Sequence, residues 1–533
     1  MKITNKYLMF VGVTLLLASC ELDKEMEGQY IGGEQNENII AQRPNMTVAA
    51  VNGMSAKLNA FATVSTAEEP DHNDYGVAAV YQTLEQGGQD MPCTTSGYNW
   101  FNNSQTYADR IYTSSLDELI WKTFYNHLDA ANKVLVLTEG TEDPEMLIYR
   151  GQAFAARAYD FLNLAQAYQF TYAGHENELC VPIVTENMTL EEKQNNPRAT
   201  VEKVYEQIIK DLNQAIDLLE GYDNGTNKDK IDEAVAYGLR ARANLLMHNW
   251  AEAAKDAEKA IAGGTPQSLA DVSKPTFNSA TADSWLWGVL ITPDNDVVQT
   301  GIINWPSHLC SLTGNGYTTL TGSFRYVSSA LYDLIPDSDI RKQWFISPEG
   351  TSKLVDNTTV DGIPVIDYFG LTPYANVKFG AYQDIMGNTT NSQDWPLMRV
   401  EEMYLIKAEG EAMSNNPNAK QTLENFVKTY RNPDYTCTAS SAQEMQDEIW
   451  LQRRMELWGE GFALFDILRL KKPIIRKDTN YEAKVQFNLE PESQIMIYRI
   501  PQCEMETNNG IKESDNNPAA PQPLSLIHIS EPT

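Results

Sequence analysis

The chain has 533 residues, more than one compact domain accommodates, so two intimate halves or a large insertion are expected. Hydrophobic residues at 42% and aromatics at 10% exclude wholesale disorder. A formal net charge of −31 argues against a nucleic-acid partner, because a phosphate backbone selects Lys and Arg.

In chain order, Lys2 and Lys6 precede an apolar run, Tyr7 to Leu17, too short to span a bilayer. It ends in Leu17-Ala18-Ser19-Cys20, which resembles a bacterial lipobox. That resemblance implies a signal peptide over 1–19 and a diacylglycerol on Cys20, anchoring the chain without spanning the membrane. Glu21-Leu22-Asp23-Lys24-Glu25 resembles the surface-export signal of Bacteroidetes lipoproteins. Residues 20–44 read as lipidated cysteine and tether, and 45–523 as a single domain. The last stretch, Leu524 to Thr533, resembles translated adapter sequence and is not expected to belong to the domain.

Thr47 to Val64 is expected to form the first helix. Asp71 to Phe101, rich in Gly, Tyr, Asn and Asp, reads as irregular, within a loop-rich region over about 65–110. Leu116 to Leu137 and Met146 to Phe170 form a helical hairpin, and Thr200 caps a helix carrying Val201, Val204, Tyr205, Ile208, Leu212 and Ala215. Ala234 to Ile261 is the clearest hairpin. Trp250, Ala253, Ala254, Ala257, Ala260 and Ile261 make a small-residue face at helical spacing, and His248-Asn249 leaves room only for a tight turn. Ala241, Asn249-Trp250, Ala253, Ala257 and Ala260 match the tetratricopeptide pattern, whose hairpins need neighbours to bury their apolar faces. From about 265 to 395 the helical period disappears in favour of Gly, Thr, Ser, Pro and aromatics, which reads as an insertion of loops, short strands and short helices. Helices resume at Leu397–Met413, Ala419–Tyr430, Glu444–Trp458 and Phe462–Leu470. The fold class is therefore mostly α: helical repeats over about 115–262 and 397–470 with a loop-rich insertion.

Five ordered segments identify a family. They are RGQAFAARAYDFLNLAQAYQ from Arg150, TVEKVYEQIIKDLNQAIDLL from Thr200, the Ala234 hairpin, RVEEMYLIKAEGEA from Arg399, and LQRRMELWGEGFALFDILRLKK from Leu451, closing with IYRIPQCEME from Ile497. With HNDYG at His72 and QDMP at Gln89, they resemble the SusD/RagB family of outer-membrane nutrient-binding lipoproteins. Asn516-Asn517-Pro518 only loosely matches the family's terminal Gln-Asn-Pro. The resemblance implies a surface-exposed, lipid-anchored protein that captures a glycan on its loop-rich half and passes it to a SusC-like TonB-dependent barrel.

No H-E-x-x-H, G-x-S-x-G, P-loop or dinucleotide fingerprint is present, so binding is better supported than catalysis. Sugar rings present apolar C–H faces ringed by hydroxyls, which flat aromatic side chains and amide or carboxylate groups answer. Tyr98-Asn99-Trp100, and Trp305 and Tyr317 in the insertion, offer that mixture, and Asp71 beside the signature is a hydroxyl acceptor. For each aromatic the competing reading is core packing under long loops. Glu401, Glu402, Glu409 and Glu411 read as solvent-facing charge, and Arg453, Arg454 and Glu456 as salt-linked helix packing. Asp294/Asp296 and Asp337/Asp339 have the oxygens calcium requires but not the rest of a loop, so solvated turn acids are expected and no cofactor is needed. Cys93, Cys180, Cys310, Cys437 and Cys503 are widely spaced without C-x-x-C, which favours isolated thiols over a disulfide framework or zinc site. Two alternatives stand beside glycan uptake: a RagB-like peptide-binding lipoprotein, and a repeat scaffold used only for protein assembly.

Overall fold

Helix boundaries follow from capping chemistry. Helix α1 runs Asn45–Lys57, shorter than the sequence suggests. In the repeat scaffold, α4 (Ser115–Leu137) is followed by α5 (Pro144–Tyr168), where the Asp143 carboxylate accepts from the Glu145 and Met146 amides and Pro144 pre-sets the first turn. Thr200 caps α6 (Val201–Leu218) by accepting from the Lys203 amide at 3.3 Å. Asp232 does the same for α7 (Glu233–Leu246) through the Val235 amide at 2.9 Å. The turn to α8 (Trp250–Ile261) is three residues long, and the His248 ring stacks on Trp250 with centroids 4.3 Å apart. These elements belong to the described residues, 45–64 and 70–523, of a computed structural model. The lipobox with Cys20, the acidic tether and the 524–533 tail lie outside them. Residues 1–48 and 49–533 separate as two units, and the second carries all that follows.

The alanine face of α8 meets α11 (Val400–Met413) at near-backbone distance. A Cβ placed on Gly410 would lie 2.5 Å from the Trp250 carbonyl oxygen, so only glycine permits this approach. Helices α12 (Ala419–Tyr430) and α13 (Ala442–Glu456) also pack on α11. That corrects the reading of its acids, because α11 has no wide solvent face. Glu402 pairs with Arg242 at 2.8 and 2.6 Å, Glu409 with Arg469 at 2.6 and 2.9 Å, and Glu401 with Arg399 and Arg431. Glu411, also buried, accepts from Thr422 at 2.6 Å. Arg453 pairs with Asp466 on α14 (Ala463–Arg469), and Arg454 with Asp90, both at 2.7 Å, as salt-linked packing requires.

A second correction concerns 71–101, which is not irregular throughout. It contains α2 (Val77–Gly87), every residue of which is buried. Full burial of its polar side chains is a tertiary feature that the local sequence does not display. Its polar residues are used internally: Glu85 accepts from the Gly459, Gly461 and Ala463 amides.

The insertion is closed at its root by β1 (Trp285–Val289), antiparallel to β2 (Trp395–Arg399), with Trp285 opposite Arg399 and Val289 opposite Trp395. A buried ionic cluster joins it to the repeats. Arg341 and Lys378 from the insertion meet Glu456 and Glu460, which Arg399 and Arg431 also contact. Burial pushes the Glu456 carboxyl up, but Arg431, Arg399 and Arg341 override it and hold the group well below the usual carboxylate range.

Candidate functional site

Two chain segments far apart in sequence build one aromatic platform. The first is the loop after α2. Asp74 pins the turn that precedes α2 by accepting from the Ala62 and Thr63 amides at 2.7 and 2.9 Å, and from that turn the Asn73 side-chain amide donates to the Trp100 carbonyl of the loop at 2.9 Å. Asn99 lies between the two exposed rings and is itself only 5% exposed. Its amide nitrogen donates to the Thr94 carbonyl at 2.9 Å and the Gln86 side chain at 3.3 Å, while its oxygen accepts from the Phe101 amide. Its hydrogen-bonding groups are committed to the loop, which corrects its assignment as a ligand contact. Tyr98 and Trp100 on either side are turned outward, 52% and 40% exposed.

The second segment runs from α9 (Trp305–Leu309) to α10 (Tyr317–Thr321). A Cβ on Gly316 would stand 2.6 Å from the Ser307 Cα, so glycine allows the two short helices to touch. The Tyr317 amide then donates to Ser307 Oγ at 3.1 Å. Tyr317 is 6% exposed and works as a pillar. Its ring stacks behind Tyr98 at 5.8 Å and meets Trp100 edge-on at 6.1 Å. Burial raises its phenol pKa, and its hydroxyl is hydrogen-bonded to Nδ1 of His72. The His72 ring in turn lies parallel to Trp100, with centroids 4.3 Å apart at 9°.

Beneath them His308 is fully buried. Burial, with Arg325 nearby, pushes its pKa well below the ordinary value, so it is neutral. Its Nε2 lies 2.9 Å from the His72 carbonyl and therefore carries the proton it donates there. Two outward rings are thus backed by three further rings and fixed through backbone hydrogen bonds. Such a surface can receive the apolar face of a flat ligand with little ordering cost.

Of the residues expected at the site, Tyr98, Trp100 and Tyr317 converge. Asp71 sits half-buried at the turn beside His72, its carbonyl accepting from the Asp74 amide at 2.9 Å. Trp305 does not belong with them. It is 1% exposed, its ring packs edge-on against Phe379 and Trp395, and its Nε1 donates to the Gln393 carbonyl at 2.9 Å. His72, His308 and Ser307 were not expected. His72 was visible only within the HNDYG signature, and the glycine before Tyr317 was the one local sign of a close approach. Asp339 is not a solvated turn acid either: it is buried and pairs with Arg341 at 2.7 Å, while Asp337 pairs with Lys342 at the surface. Among the described residues no cluster of His, Cys, Asp and Glu is arranged to hold a metal ion, and the cysteines are unpaired.

Two family models match the chain: one described as starch-binding associating with outer membrane over residues 41–245, and one described as the SusD family over 337–518. Among solved structures, a SusD-like carbohydrate binding protein from Bacteroides vulgatus is 26% identical, with a TM-score of 0.71 over 89% of this chain and 98% of that one. A SusD superfamily protein from Bacteroides thetaiotaomicron is 20% identical, with a TM-score of 0.70 over 89% and 99%. A laminarin-binding SusD-like protein is 17% identical, with a TM-score of 0.61 over 90% and 99%. No curated protein matches the chain at a significant level.

Proposed function

We propose that this chain, which belongs to the SusD family, is a cell-surface lipoprotein that captures an oligosaccharide on the Tyr98–Trp100 platform and delivers it to a SusC-like TonB-dependent transporter. The observation that carries the reading is the pair of outward aromatic rings held rigid from behind by Tyr317, His72 and His308. Exposed large aromatics are costly to keep in water, and a rigid backing lets them stack on sugar C–H faces without first being ordered. The carbohydrate- and laminarin-binding relatives support a glycan as ligand.

The chain then needs no catalytic group or cofactor, since transport energy comes from the partner. Attachment through a lipid on Cys20 agrees with the described helices, none of which is long and apolar enough to cross a membrane. Isothermal titration of the protein starting at Cys20 against a panel of glycans and peptides tests the reading. A glycan ligand whose affinity falls on Trp100→Ala supports it. Binding of peptides alone would favour the RagB-like alternative, and co-purification with a TonB-dependent barrel from the same membrane tests delivery.

A further inference from the structure

A sizeable cavity lies away from the platform. A groove of about 770 Å3 runs between the segment 265–284, just beyond α8, and the segment 382–394, leading into β2. None of the platform residues lines it. Its volume lies within the range of small-molecule sites, roughly 300–1,000 Å3. Its wall is mostly hydroxyl, amide and carboxylate side chains, with Lys274 and one half-buried aromatic, Tyr382, and it lacks the pair of outward rings that makes the platform.

The charges in the groove are largely occupied. The Asp271 carboxylate accepts from the Ser268 amide and hydroxyl. Asp394 accepts from the Ala280 and Ile291 amides, both at 2.9 Å, and burial raises its pKa. Asp384 takes the Asn278 amide at 2.9 Å and lies 4.0 Å from the Lys274 ammonium. Two wall residues, Ser284 and Gln267, are buried with a side-chain oxygen that meets no partner among the described residues. The exposed Asp283 stands where this groove meets a neighbouring cavity of about 410 Å3. At its lip the backbone of Gln383 and Asp384 is left-handed, with φ of 57° and 58°, which L side chains rarely adopt outside turns and ligand sites.

We infer that this groove is a second binding site, for a neutral polyhydroxylated ligand such as a short oligosaccharide, recognised by hydrogen bonds to its hydroxyls and not by stacking. The inference rests on the glycan reading of the platform, because it assigns the same ligand class to a second surface. Vicinal hydroxyls both donate and accept, which suits a wall of Ser, Thr and Asn side chains with the carboxylates of Asp271, Asp283, Asp384 and Asp394 as acceptors.

Saturation-transfer NMR on the full chain tests it, with malto-, laminari-, cello- and xylotrioses as probes. Three proteins are compared: wild type, the platform variant Tyr98→Ala/Trp100→Ala, and that variant with Thr281→Trp added to fill the groove from an exposed position. The expected result is a trisaccharide signal that weakens but survives in the platform variant and disappears when Thr281→Trp is added. Asp283→Ala, a smaller change at an exposed carboxylate, should reduce the surviving signal and guards against a folding effect of the tryptophan. Signal lost entirely in the platform variant overturns the groove and leaves the platform standing. Signal that survives all substitutions places binding elsewhere and overturns both. No signal from any probe on wild type overturns both as well.

Discussion

Replacing Glu456 by Gln isolates the ionic cluster that fixes the insertion to the repeats. Glu456 is fully buried, accepts from Arg431 at 2.7 and 2.8 Å and from Arg399 at 3.2 Å, and has Arg341 at 3.6 Å. The cluster is balanced, with Arg341, Lys378, Arg399 and Arg431 set against Asp339, Glu401, Glu456 and Glu460. Glutamine keeps the shape but removes one negative charge, and its amide hydrogens face guanidinium groups that also only donate. Removing one partner of a buried pair costs about 3–5 kcal/mol, because the charge left behind cannot be solvated. Equilibrium urea denaturation followed by far-UV circular dichroism measures this loss. The double variant Glu456→Leu/Arg431→Met, which removes a cation and an anion together, should recover part of it. A loss below about 1 kcal/mol for Glu456→Gln, the level of an exposed pair, would refute the view that the cluster is dry and balanced.

Three further outcomes follow. Gly410→Ala forces a Cβ to 2.5 Å from the Trp250 carbonyl oxygen and should destabilise by about 1–3 kcal/mol in the same denaturation assay, since backbone of α8 must move. Glu85 has its pKa raised to about 7 by burial, against the opposing effect of the Gly459, Gly461 and Ala463 amides. The folded state therefore binds this proton more tightly than the unfolded chain. The resulting stability is full below pH ~4.5 and is lost as pH rises through about 7, by about 3 kcal/mol at most. Subtracting the stability–pH curve of Glu85→Gln from that of wild type should reveal this slope. Trp305→Ala should cost about 3–5 kcal/mol in urea, as expected for a buried tryptophan, while any glycan affinity measured on the folded fraction stays within twofold.

The sequence carries the repeats most clearly where burial is one-sided. On α8 Ala253, Ala257 and Ala260 are buried while Glu252, Lys255, Glu258 and Lys259 face water, and the one buried charge, Asp256, is paired with Arg240. Where an element is enclosed the pattern fails. α2 carries Gln82, Thr83, Glu85 and Gln86 in full burial, where sequence alone reads them as loop or surface, and the acids of α11 look like surface charge because their arginine partners come from Arg242, Arg399, Arg431 and Arg469, elsewhere in the chain. The same limit governs the site. Trp100 and Trp305 carry the same local signal, an aromatic among Gly, Ser and Asn. What separates them is the Gln393 carbonyl, which lies 88 residues from Trp305 and receives its indole proton. Tyr98 and Trp100 are legible as a pair because two aromatics flanking an amide are the side-chain mixture a sugar calls for, whereas His308 joins the site through the Tyr317 ring and the carbonyl of a residue 236 positions away.

The most direct test of the central claim is isothermal titration of wild type, Tyr98→Ala and Trp100→Ala with a binding oligosaccharide found in the glycan panel. Removing a ring that covers roughly 60 Å2 of sugar should cost ~1.5 kcal/mol at about 25 cal/mol per Å2, or about tenfold in affinity. The account predicts that loss for each variant with an unchanged circular dichroism spectrum. Wild-type affinity in both variants would contradict it.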